Sequence, residues 1–269
     1  MAKQRGMFMS VTAKALDSAA TEQGKETSHR FVNWGVYLNI ILGISIIYAA
    51  TRVYMHEFAY SVGMDYFEPE FAVYWMPLLY SQLIIEAVAL VGMCSYLWVT
   101  RDKDVASLTP RVELQRYFSF IAWLVGYTFV ILFAGSLAGE ADAAWHQVVL
   151  RDTDFTPTHI FLFYLVIPAL IFFGIGSFIY ASTRLPEFFK RFQLPLCIAI
   201  GGPILIMPNV GLNEWGHTFF YAEELFAAPI HYGFAILGLA LLALGGVVVH
   251  LISRMKTLVD EIYPTASTS

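Results

Sequence analysis

The sequence predicts an all-α integral membrane protein with about six transmembrane helices. Three observations lead there. Of the 269 residues, 58% are hydrophobic and only 14% are charged, whereas a soluble domain carries about 25% charged residues. The apolar residues gather into six segments, most of them near the ~20 residues that cross a bilayer as helix. The basic residues fall almost entirely in alternate connections, as the positive-inside rule expects of a multi-pass chain.

Taken in order, residues 1–30 form a cytoplasmic N-terminal segment. Met7, Phe8, Val11, Ala15 and Leu16 recur there at roughly helical spacing among Lys and Asp, which predicts a short amphipathic helix on the membrane surface. No apolar run followed by a small-residue cleavage site marks a signal peptide. Residues 31–256 form the transmembrane domain, with apolar segments at 31–54, 71–100, 117–138, 159–182, 194–212 and 229–253. The fifth is interrupted by Pro195, Gly201, Gly202, Pro203 and Pro208. Breaks of this kind persist in a membrane where protein or a water-lined cavity surrounds them. Charge supports keeping it as a span. Fourteen of the 16 basic residues then lie on one side, and only Arg52 and Arg151 lie on the other, against eleven Asp and Glu. The expected topology is N-in, C-in, with residues 257–269 as a cytoplasmic tail. Cys94 and Cys197 fall toward cytoplasmic ends of spans, a reducing location away from the histidines, so neither a disulfide nor a thiolate metal site is expected.

Two triplets of metal-ligand types stand out on the opposite side. The first is Asp142, His146 and His159; the second is Asn213, His217 and His231. Each begins with an oxygen-bearing residue four positions before a His, which places both side chains on one helical face ~6 Å apart. Each closes with a His two residues after a proline, Pro157 or Pro229. Proline suits the first turn of a helix, so each third ligand is expected in the first turn of the returning span. Two imidazoles with one carboxylate or amide oxygen suit copper, zinc or non-haem iron, and an open position on such a metal suits chemistry. Aspartate adds a charge that favours a dication; asparagine offers only a neutral carbonyl oxygen.

Other readings stay open at this point. A dihaem cytochrome also pairs histidines 13 or 14 residues apart, but on one continuous helix. The charges and prolines between each pair here, Arg151 to Pro157 and Glu223 to Pro229, argue against that design. A metal transporter would need a polar midplane pathway that the sequence does not display, and a structural membrane protein with interfacial histidines needs no chemistry at all. Glu86, with Gln82 one turn earlier, is an ionisable group at membrane depth, suited to a proton-handling role or to an interhelical hydrogen bond. Asp152, Asp154 and Glu224 lie in the turns beside the triplets and could orient ligands or relay protons. His56 and Glu57, in the first acidic loop, read better as a solvated loop that packs on a partner. His250 reads as structural.

Around the ligands the residue pattern is specific. The stretches Trp145-His146, then Arg151-Asp152-Thr153-Asp154-Phe155-Thr156-Pro157-Thr158-His159, then Asn213-Glu214-Trp215-Gly216-His217 and Pro229-Ile230-His231 resemble the C subunit of the copper membrane monooxygenases. That family comprises ammonia monooxygenase and particulate methane monooxygenase. The resemblance covers essentially the whole chain and is strongest to C subunits of bacterial ammonia oxidisers. It implies a component of an enzyme that hydroxylates ammonia to hydroxylamine with O2, or methane to methanol in the homologous enzyme. It also implies one or two copper ions at Asp142, His146, His159 and Asn213, His217, His231, with zinc able to substitute at the Asp142 site. Further implications are A and B partner subunits in a trimer of heterotrimers and a quinol as a candidate electron donor. The setting it implies is a lipid one, the bacterial inner and intracytoplasmic membranes, with the metal loops on the periplasmic side. Nothing in the sequence points to nucleic acid.

Overall fold

The computed structural model describes residues 34–149, 155–204 and 223–264, without the side chains of 223–235 and 237. Six helices follow one another: α1 (Trp34–Phe58), α2 (Pro69–Val99), α3 (Pro110–Val148), α4 (Pro157–Arg184), α5 (Leu194–Ile204) and α6 (Glu223–Ile262). There is no strand among the described residues. The helices α1 to α4 and the Gly238–Ile262 part of α6 are each long and apolar enough to cross a membrane. The chain is thus an all-α integral membrane protein. The helix α5 is a shorter apolar helix, and the rest of the expected fifth span, 205–212, lies outside the described residues. The expected surface helix within residues 1–30 lies outside them as well.

Proline sets three of the helix starts. Pro69, Pro110 and Pro157 each occupy the first helical position, where a missing N–H leaves no bond unmade. Thr109 and Thr156 cap the second and third of these by accepting a backbone N–H. At the end of α1, Gly63 turns the chain at a φ of 58°, and a side chain there would lie 2.7 Å from the backbone of Phe71. Only glycine meets both demands.

The central pair is α3 and α4, with α1 and α6 against α3 and α2 against α4. The central contact is reciprocal. A methyl group at Gly126 of α3 would lie 2.6 Å from the Phe173 ring of α4, and one at Gly176 of α4 would lie 2.5 Å from the Trp123 ring of α3. Each helix thus omits a side chain where the other inserts an aromatic one. At one end of the bundle, Arg254 of α6 makes two bonds of 2.8 and 2.9 Å to the buried Glu113 of α3. The buried Arg184 of α4 donates to the Leu97 carbonyl and the Thr100 hydroxyl of α2. Near Pro203 in α5, the Tyr127 hydroxyl of α3 lies 3.3 and 3.2 Å from the carbonyls of Ala199 and Ile200. Pro203 has no N–H to offer Ala199 four residues back, so a neighbouring helix supplies the donor instead.

The ends of α3 and α6 depart from the hydropathy reading. The helix α3 begins at Pro110 rather than near 117, because its first charges are neutralised: Glu113 by Arg254, and Arg116 by Asp102 at 2.8 Å. The described helix α6 includes Glu223 onward, so Pro229 lies inside it and His231 is not in its first turn. The run Leu225-Phe226-Ala227-Ala228 carries helix-forming residues into the proline. At its other end α6 continues to Ile262, with Lys256 paired to Asp260 at 2.6 Å, so the tail begins as helix. Its 40 residues make a rod ~60 Å long, about twice the hydrocarbon thickness.

Candidate metal centre

The first triplet is assembled by a helix end and a helix start. In α3 the backbone widens to a π segment at Ala134–Ala138, then resumes as α-helix over Gly139–Val148. The Gly139 N–H reaches back to the Ala134 carbonyl, the wider π spacing. One inserted residue turns everything beyond it by ~100° about the helix axis, so the bulge decides where Asp142 and His146 point. Returning at Pro157, α4 has its own π segment at Leu162–Val166, which ends two residues before Pro168. Proline cannot supply the N–H that an α-helical register needs, which accounts for the altered register there. His159 lies between the cap and this second π segment.

Asp142 is the hub. Its Oδ1 lies 3.4 Å from His159 Nε2 and 3.6 Å from His146 Nδ1. One ligand atom from each of the three residues falls within 4.8 Å of the others. The Thr158 hydroxyl donates to Asp142 Oδ1 at 2.6 Å. His146 Nδ1 lies 2.7 Å from the Asp142 backbone carbonyl. A carbonyl can only accept, so Nδ1 carries the proton and Nε2 the lone pair. The two imidazole rings are 5.1 Å apart, centroid to centroid. His159 is 1% exposed and its Nε2 makes no hydrogen bond, whereas the His146 side chain is 28% exposed. The group is therefore closed on the His159 side and approached from the His146 side.

The frame behind it is aromatic. Trp145 is fully buried and its indole N–H donates to the Ala59 carbonyl at 2.7 Å, tying α3 to the end of α1. It packs with Met55, Phe71, Trp75, Leu79, Ile160 and Phe161. The Trp75 indole donates to the Val62 carbonyl at 2.8 Å, and the Phe163 ring stands edge-on to His159. Buried indoles with satisfied N–H groups give a stiff wall.

These residues fit a metal. Two ligand atoms each ~2.0–2.1 Å from a tetrahedral ion lie about 3.3–3.4 Å from one another, and the His159 to Asp142 separation is 3.4 Å. A buried imidazole nitrogen without a hydrogen bond, facing a carboxylate oxygen, is the orphan that a cation between them would satisfy. Nitrogen and carboxylate donors suit copper and zinc alike.

The remaining sequence candidates are distributed differently. Asn213, His217, Asp152 and Asp154 lie outside the described residues, and His231 and Glu224 are described only as backbone of α6. Glu86 forms no hydrogen bond to the triplet. It is buried with Gln82, one turn earlier on α2. In the first loop, Asp65 and Glu68 accept the backbone N–H groups of Phe67 and Met64, which makes them turn-formers. His250 lies 3.1 Å from Glu187, at the end of the bundle away from the triplet. Sequence reasoning passed over Thr156, Thr158 and Trp145. A signal existed for the first two, since a Thr before a helix-opening Pro is a cap and the Thr beside His159 shares its turn.

Residues 16–262 match the family of the C subunits of ammonia monooxygenase/methane monooxygenase. The match spans both triplets and every described helix. Among curated proteins, no individual sequence matches the chain.

Proposed function

The chain belongs to the C-subunit family of ammonia and methane monooxygenases, and on that premise we propose that its Asp142, His146 and His159 hold copper for an oxygen-dependent hydroxylation, with ammonia as the substrate and hydroxylamine as the product. The observation that carries this reading is the convergence of three ligand atoms within 4.8 Å at the meeting of two helix ends. The stretches around the ligands, which resemble those of bacterial ammonia oxidisers, support ammonia over methane.

Copper, when bound, supplies the electrons' path to O2. The chain supplies the rest. Thr158, by donating to Asp142 at 2.6 Å, fixes the carboxylate with one oxygen toward both histidines. The Asp142 carbonyl selects the His146 tautomer that leaves Nε2 free of a proton. His159, sealed behind Phe163 and the Trp145 wall, keeps water from one side of the centre. His146 leaves the other side open to small reactants. Zinc fits the same donor set and would occupy it as a substitute without redox chemistry.

Asn213, His217 and His231 form the second proposed copper site. With a neutral amide in place of the carboxylate, it favours a less charged ion such as Cu(I). Asp152, Asp154 and Glu224 are proposed to orient ligands or relay protons. A and B subunits complete a trimer of heterotrimers in the bacterial inner and intracytoplasmic membranes, with a quinol as electron donor.

Substitution of His146 and His159 by Ala in the assembled complex tests the first site. Copper per complex falls by the ion bound there and ammonia oxidation is lost, while the second site keeps its metal. Full copper content and turnover in both variants would refute the reading. Equal turnover of methane and ammonia by the wild-type complex would refute the choice of substrate.

A further inference from the structure

The loop between α1 and α2 stands at the same end of the bundle as the metal group, which does not use it. It is closely tied down. Gly63 makes its turn at a positive φ. Asp65 Oδ1 accepts the Phe67 N–H at 3.0 Å, and Glu68 Oε2 accepts the Met64 N–H at 3.1 Å. Two fully buried indoles hold its base: Trp145 donates to the Ala59 carbonyl and Trp75 to the Val62 carbonyl. On this base the Phe67 ring is left 83% exposed, the most of any large hydrophobic side chain among the described residues.

A single exposed apolar residue is ordinary on a protein surface, but this one is presented by its surroundings. The Asp65–Glu68 turn fixes the backbone on both sides of it. Its neighbour Tyr66 packs on Phe71 and on Phe155, with ring centroids 5.6 Å away in each case. An aromatic side chain held ready in this way loses little freedom when a partner buries it, and such side chains are the anchors of protein interfaces. Lipid suits the loop poorly. The chain has no Lys or Arg between Arg52 and Arg101, whereas Glu57, Asp65, Glu68 and Glu70 flank or form the turn. Carboxylates are costly in hydrocarbon, and anionic headgroups repel them where they would attract a basic anchor.

We propose that Phe67 is a docking knob for a different subunit of the complex, seated in an apolar pocket whose rim carries Lys or Arg. The proposal rests on the chain being one subunit of a larger enzyme, as its family is described. The basic rim follows from charge. Glu57 and Glu70, at the α1 and α2 ends of the loop, are exposed, and a rim of opposite sign both meets them and steers the approach. The knob also adjoins the metal-bearing turn. Tyr66 bears on Phe155, four residues before His159, and Phe155 stacks on Tyr164 of α4.

Photocrosslinking of the assembled complex in native membranes tests the knob. In a Phe67→p-benzoylphenylalanine variant, irradiation is expected to join this chain to a different subunit, at a peptide that carries apolar residues beside Lys or Arg. Phe67→Ala should raise the dissociation rate of that subunit in mild detergent ~10-fold or more, and Phe67→Leu should raise it less. Glu57→Gln with Glu70→Gln should slow reassociation and flatten its salt dependence. An adduct with lipid, an adduct with a second copy of this chain, or a wild-type dissociation rate in Phe67→Ala overturns the proposal. The adduct does not depend on copper. Its absence would leave the metal reading standing, and a copper-replete His146→Ala complex would leave the knob standing.

Discussion

Among the described residues, polar side chains at the helix ends and polar side chains within the spans are satisfied in opposite ways. Asp142, His146 and His159 sit at the meeting of two helix ends, where Thr158 and the Asp142 carbonyl supply partners. Tyr48, Gln82 and Glu86 sit within the spans, where the backbone is already committed to its own helices and no partner is offered. A helix end has spare carbonyls, N–H groups and capping side chains; a helix middle has none. His159 Nε2 is left over in the first group, and it faces the Asp142 carboxylate at 3.4 Å. At Tyr48, Gln82 and Glu86 nearly every buried polar atom is left over.

Predictions can break or sharpen that contrast. The largest effect is expected for Asp142→Ala. It removes the hub of the first group, so metal at that site falls to background in elemental analysis of the assembled complex. Next comes Thr158→Val, which keeps the shape but deletes the 2.6 Å bond to Asp142. Metal affinity should fall about 10–100-fold in a chelator-competition titration, and Thr158→Ser should restore it. If Thr158→Val binds metal as tightly as the wild type, Asp142 does not depend on this partner.

Smaller effects separate frame from site. Gly176→Ala forces a methyl group to 2.5 Å from Trp123 and should cost about 1–3 kcal/mol, read as a lower thermal midpoint with metal stoichiometry unchanged. Trp145→Phe loses the indole bond to Ala59 and leaves a buried carbonyl unpaired. A cost of about 1–3 kcal/mol is expected, together with weaker metal binding, because this tryptophan holds the end of α3 that bears His146. Arg52→Ala breaks a 3.0 Å pair with Glu140 whose side chains are 44% and 57% exposed. It should change stability by at most ~1 kcal/mol and metal content not at all.

Much of this was legible in the residues. The ~20-residue apolar runs and the one-sided Lys and Arg make a multi-pass helical protein almost unavoidable, because backbone in lipid must bond to itself. The four-residue spacing of Asp142 and His146 predicts a shared face, and the return of His159 follows from Pro157 opening a helix. Other features were not legible. The π segment at Ala134–Ala138 has no periodic signature, yet it turns the ligand face by ~100°. Pro229 was expected to open its helix and instead lies within α6, with helix-forming residues ahead of it in Leu225-Phe226-Ala227-Ala228. Thr158 looked like one more loop hydroxyl until the structure brought it against a residue sixteen positions away.

The sequence alone determined the all-α membrane class and the spacing of the three residues that metal-binding chemistry would need, Asp142, His146 and His159, because these rest on local spacing and on transfer from water to lipid, both of which act residue by residue. Only the tertiary structure decided that Asp142 lies between two histidines, that Trp145 ties α3 to the end of α1, and that Tyr48 packs between the two π segments. Those facts depend on how separate helices rotate and slide against one another, and in this bundle that is set by two π insertions and by the glycines that admit Phe173 and Trp123.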